Sequence, residues 1–470
     1  MNRPAFAAVL SAFFILQCAV APQLQSAEPA SPVKLTLYPA GEPTPALKYR
    51  LLPGRLDQIA GNAAVHYGKV TAEEMKFFGT QQWRDKVDRW QEMPLEELTR
   101  ENVNLPTSSI FFLEQGGRCT YCDWQLPIGV VPFYTILLPE AQQSRSYARV
   151  LAVKARQEIA QGNFDDAVKT FQTNYALGRN VAEGETLING LIGIAITGVM
   201  FPQMLELVQQ PNSPNLYWGL TLLPSPLIDM GDALDVERMG VELSFPELRD
   251  LESPERTADQ WRELFHRFAK QVVELTATAE TQPWQPSPEE LDKACQEILP
   301  TAKRALVDWG MPTEEVEAMP VYEVALRYTL QLYHELLDDG IKYYSLPYPE
   351  AIQGIEAAME RARPANQERR EIIPLASQIL PALEATRNAV VRSDRQIAVL
   401  RVIEALRIHA AGHHGELPPQ LSDITEVPIP NDPVTGKPFV YRREADKAFL
   451  EGPPLPNAPL SYEITMVRAE

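Results

Sequence analysis

Two cysteines, Cys119 and Cys122, have the CxxC spacing that occurs in disulfides, redox centres and metal sites. A redox centre needs a thiol of low pKa at the start of a helix in a βαβ setting, and no such pattern surrounds this pair. A haem attachment site needs a histidine where Asp123 stands, and a zinc site needs two further ligands. We therefore expect a structural disulfide or two buried thiols, and redox and metal roles stay open as alternatives.

A second group of candidate residues lies at 409–416, where the sequence reads HAAGHHGE. His409 and His413 are four residues apart, a spacing that places two imidazoles on one helix face for a metal ion. Glu416 would add a carboxylate ligand. The two glycines of this segment indicate instead that a helix ends here, where the helix dipole favours histidine. We expect a capping or surface role, with a metal site formed by His409, His413 and Glu416 as the alternative.

Other signatures of chemistry are weak. His334-Glu335 falls in a predicted helix, but no second histidine follows at the spacing of a zinc protease. The sequence contains no phosphate-binding loop and no nucleophile elbow, so we predict no cofactor. The chain of 470 residues has a formal net charge of −19. Electrostatic repulsion therefore disfavours nucleic acid and anionic membrane surfaces as partners.

The N-terminal 27 residues have the layout of a secretory signal peptide. Arg3 precedes an apolar stretch at 5–16, and small residues at 19–27 lead to a predicted cleavage after Ala27. Residues 28–45 are rich in proline and alanine, which predicts an extended linker. We expect a periplasmic or secreted protein with no integral membrane segment after cleavage.

Residues 147–175 predict two helices joined by a turn. Gly162-Asn163 separates two stretches with apolar residues at helical spacing. The offsets of Gly162, Phe164, Ala167 and Phe171 resemble those of the turn and second helix of a tetratricopeptide repeat. The resemblance implies a helical hairpin that must pack against neighbouring helices to bury its apolar face.

Short segments elsewhere carry a second resemblance. Cys122-Asp123-Trp124, the sequence PNLYW at 214–218 and the sequence LPSPL at 223–227, together with the Gly162 hairpin, are similar to a group of exported helical proteins of planctomycete bacteria. The resemblance implies an exported, mainly helical protein and no particular activity.

The stretch 186–205 contains no charged residue and is rich in leucine and isoleucine. Its length approaches that of a membrane span, but Asn189 and three glycines dilute the apolar sequence. We predict a central helix that is buried on all sides within the protein. Gly190, Gly193 and Gly198 would then allow neighbouring helices to approach closely.

The C-terminal region differs in character from the rest. A long helical stretch at 371–411 is followed by a turn cluster at 431–438, where Asp432 and Gly436 are expected to shape the turn. Residues 439–442 and 447–450 predict a two-stranded hairpin, and 460–466 a final strand. This layout resembles the C-terminal part of type II secretion pseudopilins, and we interpret it as a local packing arrangement.

The whole chain predicts a mainly α fold: an irregular array of tetratricopeptide-like helical hairpins with a small C-terminal α+β hairpin tail. The predicted parts are a signal peptide at 1–27, a linker at 28–45, an N-terminal helical region with the CxxC pair at 46–140, a central helical-repeat-like domain at 141–282, a second helical region at 283–365, and a long helix with a β-hairpin tail at 366–470.

Helical arrays of this kind form concave binding surfaces. The leading hypothesis is therefore a non-enzymatic module that binds a protein or peptide partner in the cell envelope. An exported hydrolase or metal-dependent enzyme that uses the histidine cluster, and a redox accessory that uses the CxxC pair, are the alternatives.

Overall fold

The structure is a computed structural model that describes residues 31–74, 80–252, 255–276, 285–367, 371–455 and 458–468. The described residues are mainly helical with a small β-sheet region, so the predicted fold class is confirmed at that level. The predicted signal peptide at 1–27 lies outside the described residues.

The α-helices are distributed along the whole described chain. In order they are α1 (Ala63–Glu74), α2 (Gln81–Glu92), α3 (Leu95–Leu98), α4 (Thr107–Gly117), α5 (Pro139–Ala160), α6 (Phe164–Ala182), α7 (Leu187–Gly198), α8 (Met200–Val208), α9 (Tyr217–Thr221), α10 (Gly231–Arg238), α11 (Gly240–Ser244), α12 (Ala258–Thr276), α13 (Pro288–Asp308), α14 (Thr313–Ala318), α15 (Val321–Ile341), α16 (Tyr348–Gln367) and α17 (Ala376–Gly412). Short 3-10 helices lie at Phe133–Thr135, Pro246–Leu248 and Leu421–Asp423.

The strands form two sheets. They are β1 (Val33–Leu37), β2 (Ile59–Asn62), β3 (Cys119–Tyr121), β4 (Val440–Glu444), β5 (Lys447–Leu455) and β6 (Ala458–Met466). The larger sheet has the order β1-β6-β5-β4, with β1 parallel to β6 and the other pairs antiparallel. The smaller sheet pairs β2 and β3 in parallel.

The chain divides into two compact units that are discontinuous in sequence. The helical unit comprises Leu126–Leu137 and Leu234–Arg387, and the mixed unit comprises the described parts of Leu24–Gln125, Leu138–Ala233 and Asn388–Glu470. The predicted domain boundaries do not coincide with these units. The central domain predicted at 141–282 is divided after Ala233, and the region predicted at 366–470 is divided after Arg387.

The mixed unit is built around the predicted hairpin of α5 and α6. Gly162 has a φ of +75°, a left-handed conformation that favours glycine and reverses the chain between the two helices. Helix α5 packs against α6, α7 and α8 and also against α1, α2 and α3. Ala155, Ala167 and Phe171 are fully buried in this packing.

The apolar stretch predicted as one helix consists of α7 and α8, which meet at Val199. The continuous stretch Leu187–Val208 is long and apolar enough to cross a membrane, a property that buried core helices share. In its most apolar window, 56% of the residues are buried within the protein. Gly193 approaches helix α6 so closely that an added Cβ would lie 2.5 Å from the carbonyl oxygen of Gly178.

The N-terminal described segment differs from its prediction. The region expected to be a linker at 28–45 contains β1, which pairs with β6 from Val33–Tyr462 to Leu37–Met466. Leu35 and Leu37 of this strand are buried in a core with residues of α17 and the sheet. The structure of this segment is therefore decided by pairing with β6 and by burial of alternate side chains. Local composition, which is rich in proline and alanine, does not reveal either.

In the tail, Arg395 of α17 fixes the turn that precedes the hairpin of β4 and β5. Its Nη2 donates to Asp432 Oδ2 at 2.8 Å, and both side chains are almost completely buried. The carbonyl oxygen of Asp432 accepts from the amides of Thr435 and Gly436, so Asp432 shapes the turn as predicted.

The helical unit is held together by α12, α13 and α15. Asp292 of α13 accepts hydrogen bonds from Arg262, His266 and Tyr322, which belong to the two other helices. The Arg262 guanidinium holds the pKa of Asp292 at about 2, so the carboxylate is ionised at neutral pH.

Candidate functional sites

The predicted histidine pair lies at the end of α17 in the mixed unit. His409 is in the last turn, and His413 follows the helix at the same face, with the two rings stacked 3.8 Å apart at 15°. Positive φ angles at His414 and Gly415, together with the bond from the Gly415 amide to the Ala410 carbonyl, end the helix here. The prediction that this segment is a helix terminus is confirmed.

The carboxylate beside the histidines is Glu426, which corrects the predicted Glu416. Glu426 Oε1 lies 3.2 Å from His409 Nδ1 and 3.6 Å from His413 Nδ1. Glu416 is exposed and does not belong to the cluster. The reason is the chain reversal at Gly415, which directs Glu416 away, whereas the segment after the 3-10 helix at Leu421–Asp423 returns to the helix end.

Burial lowers the pKa of the inner imidazole, His409. His409 is only 8% exposed, and burial followed by the neighbouring His413 lowers its pKa, although Glu426 opposes this. His413 is 52% exposed, and its Nδ1 lies 2.8 Å from the carbonyl oxygen of His409. Two imidazoles and a carboxylate are a donor set for a transition-metal ion.

The predicted CxxC pair lies beside the small parallel sheet of the mixed unit. Cys119 begins β3 directly after α4, and Cys122 follows the strand. Both are buried free thiols in the structure, and so is Cys295 of the helical unit. The pair therefore occupies a strand and the residue after it, a position without the helix N-terminus that lowers a thiol pKa in redox proteins.

The surroundings of the two thiols favour the protonated form. Burial raises the pKa of Cys119, and burial followed by the charge of Glu183 raises the pKa of Cys122. A protonated thiol is a poor nucleophile and a poor metal ligand. The chemistry of this site is accordingly that of a packed core, with Trp124 stacked on Tyr67 nearby.

An open cleft in the helical unit was not predicted from the sequence. It has a volume of about 960 Å³, and residues of α15 line one side, with residues near α11 on the other. Arg238 and Asp338 form a two-bonded ion pair across it, at 2.5 and 2.7 Å. Met239 is 53% exposed at its rim. The cleft lining is thus mostly charged and polar, with Met239 and Trp309 as its apolar members.

A histidine–glutamate pair lies in the wall of this cleft. His334 Nε2 is 2.5 Å from Glu242 Oε1. The other ring nitrogen, Nδ1, is buried. The pair joins α11 to α15 in the cleft wall.

A buried carboxyl group lies near the same wall. Burial raises the pKa of Glu237 to about 7, and the neighbouring Tyr134 hydroxyl opposes the rise only in part. Tyr134 itself packs against Gly240, where an added Cβ would lie 2.5 Å from the phenol oxygen. Glu237 is therefore a proton-binding group near neutral pH inside the helical unit.

The sequence contained only partial signals for the cleft. The pair His334-Glu335, which is an incomplete zinc-protease motif, lies in the cleft lining. The ion pair of Arg238 with Asp338 joins residues 100 positions apart, a contact that no local pattern encodes.

No protein-family model, no curated protein and no solved structure matches this chain. The function is therefore inferred from the residues of these sites.

Proposed function

We propose that this protein is an exported, non-enzymatic binding protein that holds a peptide segment of a partner protein in the cleft of the helical unit. The observation that carries the proposal is the open cleft of about 960 Å³, in which exposed Met239 lies beside paired charges. Pockets of this size hold ligands of drug size or short peptides.

The two kinds of side chain in the cleft have separate roles in the proposal. Met239 and the half-buried Trp309, which stacks on Tyr328 at 5.8 Å, provide apolar contact area. Methionine and tryptophan are enriched at the centres of binding surfaces because they bury a large area with few polar groups.

The charged side chains would supply orientation. Arg238 is bound to Asp338, and Lys342 and Arg361 are bound to Asp339. These pairs are partly exposed, and exposed pairs contribute little to stability. They can exchange partners with charged side chains of a peptide at little cost to the fold.

The tetratricopeptide-like hairpin of α5 and α6 is proposed to be a structural element of the mixed unit. The burial of Ala155, Ala167 and Phe171 supports a repeat-like packing. Contacts of α5 with helices on several sides leave the cleft of the helical unit as the better candidate for a partner.

The proposal is tested with a photo-crosslinking amino acid placed at Met239 in the exported protein, followed by analysis of crosslinked envelope proteins. We expect one dominant crosslinked partner, competed by an excess of the unlabelled protein. The matched control places the same amino acid at Leu346, which is 39% exposed in the same unit and outside the cleft lining.

A second variant separates binding from folding. Met239→Glu should weaken partner binding at least about tenfold because it places a charge in an apolar contact, and Leu346→Glu should not. Equal crosslinking at positions 239 and 346, or full binding by Met239→Glu, would exclude the cleft as the binding site.

A further inference from the structure

The three side chains at the end of α17 have the separations of metal ligands. In a tetrahedral zinc site with bonds of about 2.0–2.2 Å, donor atoms lie about 3.3–3.6 Å apart. Glu426 Oε1 lies 3.2 Å from His409 Nδ1 and 3.6 Å from His413 Nδ1. All three donors lie within 4.8 Å of one another.

The buried imidazole supplies an independent observation. The His409 side chain is only 8% exposed, and its Nδ1 lies 3.2 Å from Glu426 Oε1 without the alignment of a hydrogen bond. A buried ring nitrogen without a well-aligned partner is costly. A metal ion in front of Nδ1 would satisfy this atom and compensate the negative charge of Glu426.

We propose that His409, His413 and Glu426 bind a divalent transition-metal ion of the zinc class. Two imidazoles with one carboxylate suit Zn²⁺, Cu²⁺ or Ni²⁺ and do not suit Mg²⁺ or Ca²⁺, which prefer oxygen ligands alone. Three protein ligands leave a fourth position to water, and the half-exposed His413 places that position toward solvent.

Metal binding replaces one hydrogen bond of the metal-free site. The His413 Nδ1 lies 2.8 Å from the His409 carbonyl oxygen, which is the capping interaction predicted for a histidine at a helix end. The exposed ring can turn to present either nitrogen. The capping interaction and the metal site are thus alternative states of the same side chain.

The consequence is a crosslink between two parts of the mixed unit. His409 and His413 belong to the end of α17, and Glu426 belongs to the segment that leads into the tail sheet. Leu421, Ile424 and Val427 of that segment are buried in the same core as α17. A bound ion would fix this segment to the helix. This inference goes beyond the proposed binding function, and its test does not involve the cleft.

The test uses the full mature chain without a histidine tag, titrated with Zn²⁺ in competition with a chromogenic chelator. Cobalt absorption gives a second readout, since Co²⁺ bound to nitrogen and oxygen in a low-coordinate site absorbs visible light strongly. We expect one ion per chain and a weakening of at least about tenfold in His413→Ala and in Glu426→Gln, because each removes a ligand.

The chain offers matched controls beside the site. His414→Ala and Glu416→Gln change an exposed histidine and an exposed carboxylate of the same segment that are outside the cluster, and both should bind zinc like the unaltered protein. Circular dichroism confirms that each variant is folded. Absence of stoichiometric binding, unchanged affinity in His413→Ala and Glu426→Gln, or equal losses in the controls would each overturn the proposal.

Discussion

At the scale of single residues, Glu237 is the group whose environment predicts a pH dependence of stability. Its carboxyl group is buried, and burial raises its pKa to about 7, with Tyr134 opposing the rise. In the unfolded chain the same group titrates near its ordinary value of about 4.3. Between these two pKa values the folded protein binds a proton that the unfolded chain has released.

The sign of the resulting pH dependence follows directly. Below the pKa of Glu237 in the unfolded chain, the group is neutral in both states, and its contribution to the free energy of unfolding is fully present. That contribution is lost as the pH rises toward about 7. We expect the helical unit to lose stability by about 1.4 kcal/mol per pH unit over this window from this group. The measurement is urea unfolding at a series of pH values from about 4.5 to about 8, a range that covers both pKa values.

Glu237→Gln is the variant that isolates this effect. The glutamine amide has a shape similar to that of the carboxyl group and carries no charge at any pH. The loss of stability between the two pKa values of Glu237 should therefore become smaller. Asp292 provides a contrast, because Arg262 lowers its pKa to about 2 and its contribution is lost as pH falls. An unchanged pH profile in Glu237→Gln would show that Glu237 does not titrate in this range.

The cysteines allow a second prediction at this scale. Cys119, Cys122 and Cys295 are buried, and burial raises the pKa of each, to about 12 for Cys295. We expect a thiol reagent to label the folded protein very slowly and to label three thiols of the mature chain after unfolding. Labelling of one thiol after unfolding would instead reveal the disulfide that the CxxC spacing predicts for an exported protein.

Residue-level reasoning from sequence found part of each site. The spacing of His409 and His413 located two members of the cluster because helical geometry is local. The third member was assigned to Glu416, but Glu426 occupies the position. Sequence proximity does not reveal which carboxylate a loop brings back to a helix end, and several acidic residues lie in that segment.

At the scale of elements, the glycines of α7 show which close contacts the sequence predicted correctly. Gly193 faces the Gly178 carbonyl oxygen, and Gly190 faces Met230, so an added Cβ would clash at both positions. At Gly198 the nearest atom to an added Cβ is Gln396 Oε1 at 3.9 Å. The predicted close approach of a neighbouring helix is confirmed at Gly193. At Gly190 the neighbour is the Met230 side chain, which lies outside the helices, and at Gly198 the prediction is wrong.

Gly193→Ala and Gly198→Ala form a matched pair for this packing. The first should lower the free energy of unfolding by about 1–3 kcal/mol, because the methyl group meets a backbone carbonyl that cannot move without separating two helices. The second should leave stability unchanged or raise it by up to about 1 kcal/mol, because alanine favours the helix and has space. Thermal or denaturant unfolding of the two variants gives the comparison, and equal effects would contradict the close-approach model.

The mainly helical character was predicted from a local signal, namely apolar periodicity. Strand β2, Ile59–Asn62, was not predicted, and α1 begins directly after it at Ala63. The strand pairs with β3, whose Cys119 lies opposite Ile59. Pairing partners so far apart in sequence leave no trace in the local pattern.

At the scale of the whole chain, the units are assembled from distant segments. Arg407 of α17 is completely buried and donates to Glu404, to Ser213 and to the carbonyl oxygen of Tyr38. Three segments that are separate in sequence thus meet at one guanidinium. Domain prediction from composition treats the chain as consecutive blocks, so it could not find units of this kind.

The pairing of β1 with β6 leads to a last prediction, for the N-terminal end of the mixed unit. Cleavage after Ala27, as the sequence predicts, leaves β1 intact, with Leu35 and Leu37 buried and the Thr36 amide bound to Gln209 Oε1 at 3.1 Å. A chain that begins at Tyr38 lacks the strand and both leucines. Burial of each leucine contributes about 1.5–3 kcal/mol, and the exposed edge of β6 loses its partner. We expect this chain to unfold at markedly lower denaturant concentration than one that begins at Ser31, which retains the strand. Equal midpoints for the two shortened chains would mean that β1 contributes nothing to the stability of the mixed unit.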